Sequence, residues 1–145
     1  MADQKPIVAI TGAGDGIGWA TAQVFAGNGY RVALLDVDAD RASARASELG
    51  DEHADICCDV SKETDVRAAF GTIAKKFGSL DALVNNAGIG SPHLPTSEQT
   101  VESFERILGI HLTGTFLCSR EAHALMASRQ AGSILNLPMA KARGF

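Results

Sequence analysis

Four glycines, Gly12, Gly14, Gly16 and Gly18, stand at alternate positions directly after the apolar run Ile7-Val8-Ala9-Ile10. They are followed at once by the spacing Ala20, Val24, Phe25, which predicts one apolar face of a helix beginning near Gly16. Strand, glycine turn and helix in this order can bring backbone N–H groups and a helix N-terminus onto a pyrophosphate. Glycine suits such a turn because a Cβ would block the tight bend or the approach of the phosphates. The pattern here is Thr11-Gly12-x-x-x-Gly16-Ile17-Gly18, not G-x-G-x-x-G. Taken alone, it is equally the pattern of an ordinary strand–helix turn.

Three further groups fall at strand ends. Asp36-Val37 closes the run Arg31 to Leu35, about 20 residues past the glycine turn, where an acid can accept from both adenosine ribose hydroxyls and repel a 2′-phosphate. A helix cap or a solvated loop acid is the competing reading of Asp36. Asp59-Val60 closes the run Ala54 to Cys58, and Asn85-Asn86-Ala87-Gly88 follows Leu80 to Val84. His111 carries an imidazole, a common acid/base in catalysis, and is a candidate for that role, set against a polar substitution on a half-buried helix without an orienting partner. Cys57 and Cys58 read as buried small hydrophobes. No metal ligand set is expected.

The elements that must position these groups alternate. Helices are expected over 16–26, stopped by Gly27-Asn28-Gly29, and over 40–49, with a thin stripe at Ala42, Ala46 and Leu49. A third carries Val66, Ala69, Phe70, Ile73 and Phe77, with Gly78 as its stop. Residues 90–99 read as a loop, and a long helical region spans about 100–128. Its apolar positions Phe104, Ile107, Leu108, Leu112, Phe116, Leu117 and Leu125 are expected to be mostly core. A last strand covers Ser133 to Leu137. This alternation predicts one α/β domain over 1–145: a doubly wound, Rossmann-like parallel sheet, five strands in order 3-2-1-4-5, in three α/β/α layers. Ligands of such sheets bind at the carboxyl ends of the strands, where all these groups converge.

Composition narrows the function classes. The chain has 145 residues, 46% hydrophobic and 21% charged, with net charge −4 and no basic run, which argues against nucleic-acid binding. The polar start from Met1 to Pro6 carries no secretory pattern, and the apolar stretch Ile107 to Cys118 is too short to span a bilayer. Three cysteines make no disulfide framework, so a cytoplasmic protein is expected.

Thr11-Gly12-x-x-x-Gly16-Ile17-Gly18, Asp59-Val60 and Asn85-Asn86-Ala87-Gly88, in this order and at these separations, resemble the classical short-chain dehydrogenase/reductase family. The resemblance runs from about Pro6 to Leu137 and includes Leu112-Thr113-Gly114-Thr115-Phe116, similar to the family's long central helix. It implies hydride transfer between a nicotinamide and an alcohol or carbonyl substrate. It also implies adenine beside Asp59, backbone contact from Val60, and an Asn86-Ala87-Gly88 segment passing the adenosine ribose. Asp15 stands where NADP-preferring relatives often carry a basic residue, so with Asp36 it implies NAD over NADP.

The resemblance breaks at the chemistry. The family uses a Tyr with a Lys four residues later, yet the one tyrosine here is Tyr30, and the pair is absent from these 145 residues. His111 precedes Leu112-Thr113-Gly114 where the family has a relay Asn, and the family's catalytic Ser aligns with Met139, a thioether that cannot donate. No catalytic residue is identifiable, and the chain as given is expected to bind the cofactor with little turnover. The alternative is an inactive dinucleotide-binding or interaction module. Self-association is expected through the edge Ser133 to Leu137 and an apolar face around Phe116 and Leu117.

Overall fold

The computed structural model describes residues 4–137. Five strands form one sheet in the order β3-β2-β1-β4-β5: β1 (Ile7–Thr11), β2 (Arg31–Asp36), β3 (Ala54–Cys57), β4 (Ala82–Asn85) and β5 (Ser133–Asn136). Every pairing is parallel, as the expected crossover helices require. Those helices are α1 (Gly16–Gly27), α2 (Ala39–Leu49), α3 (Glu63–Phe77), α4 (Val101–Leu108) and α5 (Gly114–Ala127). A π-helical turn, Gly109–Thr113, joins the last two.

Side chains of the central strands alternate between two cores, which explains their unbroken apolar runs. Ile7, Ala9, Ala33, Leu35 and Leu83 pack with Phe70 and Ile73 of α3 and Leu117 and Met126 of α5. Val8, Ile10, Val32, Leu34 and Val84 face the other way, toward Ala22 of α1 and Ala46 of α2. All five expected core positions of α3 are buried. Helix ends follow local chemistry: Asp38 accepts from the Arg41 N–H at 3.0 Å, and Gly78 stops α3 with φ 78°.

Three expectations about burial are corrected. In α1 the buried row is Gly18 and Ala22, with Trp19, Phe25 and Ala26 partly buried beside it, while Ala20 is exposed and Val24 is 63% exposed. Gly18 lies so close to the strand end that it fixes which side of the helix faces the sheet, and Ala20 and Val24 fall on the far side. On edge strand β3 the pleat alternates, so Cys58 beyond it is buried but Cys57 is exposed. In the long helical region Leu117 is buried and Ile107 and Leu125 are half-buried. Phe104, Leu108, Leu112 and Phe116 are exposed. They recur every fourth residue on one stripe, turned away from the Leu117, Cys118, Ala122 and Met126 side that meets the core.

Among the described residues no helix is long and apolar enough to cross a membrane.

Candidate functional site

The carboxyl ends of β1, β2 and β4, with the segment after β3, open into one cleft of about 660 Å³. Its wall includes Gly12, Asp15, Gly16 and Ile17 from the turn, Asp36 and Val37 from β2, Asp59 and Val60 after β3, and Asn86, Ala87 and Gly88 after β4. Two singled-out glycines stand behind it. A Cβ on Gly14 would lie 2.8 Å from both Asp36 Oδ2 and Arg41 Cδ. A Cβ on Gly18 would be driven into the Gly12 carbonyl and to 2.5 Å from Asn86 Nδ2. These two glycines serve packing between turn, helix and strand. Gly16 is different: its φ is +54°, and an added Cβ would meet nothing within 4 Å. The backbone is therefore left-handed at Gly16, which lines the cleft, and the space beside it is open.

Each flanking group is held by a partner. Asp36 Oδ2 accepts from the Gly14 N–H at 2.9 Å and Oδ1 from the Asp38 N–H at 3.0 Å. Each carboxylate oxygen keeps a further acceptor position. Asp59 Oδ1 accepts from the Ser61 hydroxyl at 2.6 Å and from its N–H at 3.1 Å. These bonds, the hydroxyl first, hold its carboxyl below the usual carboxylate range against the opposing effect of burial, with Lys62 helping. The Thr11 hydroxyl accepts from the N–H groups of Asn86 and Ala87 at 3.0 and 2.9 Å. Asn86 Nδ2 donates back to the carbonyls of Thr11 and Gly12. The segment after β4 is thereby pinned to the turn after β1. Below it, Asn85 Nδ2 donates to Ser119 Oγ at 3.1 Å and to Asn136 Oδ1 at 2.9 Å.

Sequence reasoning missed Arg41, Ser61, Ile89, Arg106 and Ile110, which also line the cleft. Only Ser61, two residues past Asp59, had a local signal as an acceptor's partner. The arginines stand on helix surfaces and look like solvated charge in the sequence. Arg41 lies 3.7 Å from Asp15 and 3.6 Å from Asp38, so two carboxylates share its charge at the rim. Cys58 reaches the wall, but burial pushes its thiol up to about 12, as it does that of Cys118. Neither is a nucleophile at neutral pH.

His111 is corrected as well. Its Nε2 lies 3.0 Å from both the backbone nitrogen and the carbonyl oxygen of Ile89, so the imidazole does have an orienting partner. It packs over Gly88, where a Cβ would come to 2.5 Å from its Cε1, and it stands behind the cleft wall. Tyr30 lies at the start of β2, the opposite end of the sheet, stacked edge-on to Phe25 at 4.9 Å. Met139 lies outside the described residues. Among those described, no three His, Cys, Asp or Glu side chains gather as a metal site.

Residues 6–140 match the short chain dehydrogenase family as a whole. The chain belongs to that family. The short-chain dehydrogenase reading rests on the same strand ends that build the cleft. Among its relatives, momilactone A synthase of Oryza sativa subsp. japonica is 40% identical over 132 residues, covering 90% of this chain and 48% of that protein. D-threitol dehydrogenase of Mycolicibacterium smegmatis is 36% identical over 134 residues, covering 90% of this chain and 51% of that enzyme. The chain thus spans about half the length of these relatives. The crystal structure of 3-ketoacyl-(acyl-carrier-protein) reductase from Brucella melitensis, complexed with NADH, superposes with a TM-score of 0.86 at 38% identity, covering 90% of this chain and 56% of that one.

Proposed function

We propose that this short-chain dehydrogenase binds a nicotinamide dinucleotide in the cleft, NAD(H) in preference to NADP(H), as the cofactor half of an alcohol/carbonyl oxidoreductase. The observation that carries the reading is the glycine turn: left-handed at Gly16, empty where a Cβ would stand, and opening α1. Backbone N–H groups of Asp15, Ile17 and Gly18, with the positive end of α1, would hold the pyrophosphate, the Gly16 N–H being donated at 2.8 Å to the Asp15 carboxylate that caps the helix. Asp36 would accept from the adenosine ribose hydroxyls. Asp59 and Val60 would bound the adenine, and Asn86 to Gly88 would support the ribose from the other side. The bound nicotinamide would supply hydride donation or acceptance toward a small alcohol or carbonyl substrate.

The preference for NAD(H) follows from charge. A 2′-phosphate on the ribose would meet the Asp36 carboxylate, and the nearby Arg41 is already shared between Asp15 and Asp38. Titrating the chain with NADH and with NADPH, read by reduced-nicotinamide emission, tests both parts. Saturable NADH binding, tighter than NADPH, supports the reading, and no saturable binding of either overturns it.

The exposed stripe of Phe104, Leu108, Leu112 and Phe116, with Ile134 and Leu135 exposed on edge strand β5, favours association with a second copy of the chain. Three free thiols fit a reducing compartment, the cytoplasm.

A further inference from the structure

The glycine turn is held from outside by α2, and the residue that holds it is not in the cleft. Arg45 projects from the middle of α2 with its side chain about one-third exposed, at 31%. Its Nε donates to the Gly14 carbonyl at 3.2 Å, the guanidinium lies over the Trp19 ring at 4.9 Å, and Nη1 donates to Glu48 Oε1 at 2.7 Å. Gly14 is thus fixed through both of its peptide groups, its N–H on Asp36 and its C=O on Arg45. A trans peptide is planar, so fixing the Gly14 C=O fixes the direction of the Asp15 N–H across the same bond. Asp15 lines the cleft, and in the dinucleotide reading its amide is the first to meet the pyrophosphate.

We propose that Arg45 is a positioning residue for dinucleotide binding, setting the plane of the Gly14–Asp15 peptide while its guanidinium braces Trp19 on the first turn of α1. The inference rests on the dinucleotide reading of the cleft. Arginine is required because one planar group donates edgewise from Nε and stacks by its face at the same time. A lysine carries the charge but cannot meet both demands.

The effect should split by ligand. Arg45 acts on the turn that would take the pyrophosphate, whereas adenosine alone would rest on Asp36, Asp59 and the segment after β4. The test compares the unmodified chain with Arg45→Met, Arg45→Lys and Glu48→Gln, each titrated with NADH, ADP-ribose and adenosine. Acrylamide quenching of Trp19, the one tryptophan, reports whether the guanidinium still covers it.

Arg45→Met should weaken NADH and ADP-ribose by about ten-fold, the scale of one hydrogen bond to a charged donor, and leave adenosine within about two-fold. Arg45→Lys should fail to restore the tighter binding and should leave Trp19 more open to acrylamide. Glu48→Gln should behave as the unmodified chain. Equal NADH affinity in Arg45→Met and the unmodified chain would overturn the inference and leave the cofactor reading standing. Equal losses for adenosine and NADH would also overturn it, because they would mark general damage to the fold. Failure of the unmodified chain to bind NADH would overturn the cofactor reading and the inference with it.

Discussion

Asp36 Oδ2 accepts the backbone N–H of Gly14 at 2.9 Å, so the acid at the tip of β2 and the glycine turn after β1 form one unit. The carboxylate that would receive the ribose hydroxyls therefore also shapes the turn that would receive the pyrophosphate. Replacing Asp36 with Ala should reduce the preference for NADH over NADPH by about 1 kcal/mol or more, the scale of a charge-assisted hydrogen bond. Competitive titration of the two cofactors reads this directly. An unchanged ratio would show that the ribose end does not reach Asp36.

Gly16→Val should abolish dinucleotide binding. The φ of +54° is strained for a β-branched residue, and its side chain would enter the open space beside the turn. Because nothing stands within 4 Å of that position, the far-UV spectrum should stay close to that of the unmodified chain. Normal NADH binding by this variant would remove the pyrophosphate from the turn.

Acid should weaken the fold through His53, remote from the cleft. Its Nδ1 accepts the Val32 N–H at 3.0 Å, and burial holds the imidazole below the ordinary histidine value despite Glu52, with Lys5 and Lys76 reinforcing the shift. The folded state therefore binds fewer protons than the unfolded state below about pH 6.5. Stability is fully present above that pH and falls below it, by at most about 1.4 kcal/mol per pH unit, down to the folded-state value. Urea unfolding at pH 7.5 and 5.5 measures the loss. His53→Gln keeps an acceptor for Val32 without a titrating ring, and its profile over that interval should be flatter.

Association should depend on the apolar stripe. Leu112 and Phe116 are 66% and 59% exposed, so Leu112→Glu with Phe116→Glu removes surface hydrophobicity at little cost to the core. Light scattering across a dilution series should show the unmodified chain associating and the double variant monomeric. A monomeric unmodified chain at high micromolar concentration would rule out this surface as an interface.

The sheet order and cleft were legible because they depend on local signals. Short apolar runs mark the central strands, and glycines or polar residues mark their carboxyl ends. What stayed hidden depends on distance in the chain. His111 finds Ile89 across 22 residues, and Arg45 finds Gly14 across 31. Nothing near either residue announces its partner. The stripe at Phe104, Leu108, Leu112 and Phe116 was misread for another reason. Helical spacing of apolar residues marks a common face, and whether that face meets a core or solvent is decided by the layer beneath. In α1 the close approach of Gly18 settled the rotation, which the residue types alone left undetermined.

The central claim is that the cleft holds a dinucleotide with its pyrophosphate on the glycine turn. Backbone amide chemical shifts of the isotope-labelled chain, followed during an NADH titration, test it most directly. The account predicts saturable shifts at Asp15, Gly16, Ile17 and Gly18, together with Asp36, Val37, Asp59, Val60 and Asn86 to Gly88, while the amides around Tyr30 and His53 stay still. Shifts confined to residues outside the cleft, or none at saturating NADH, would contradict it.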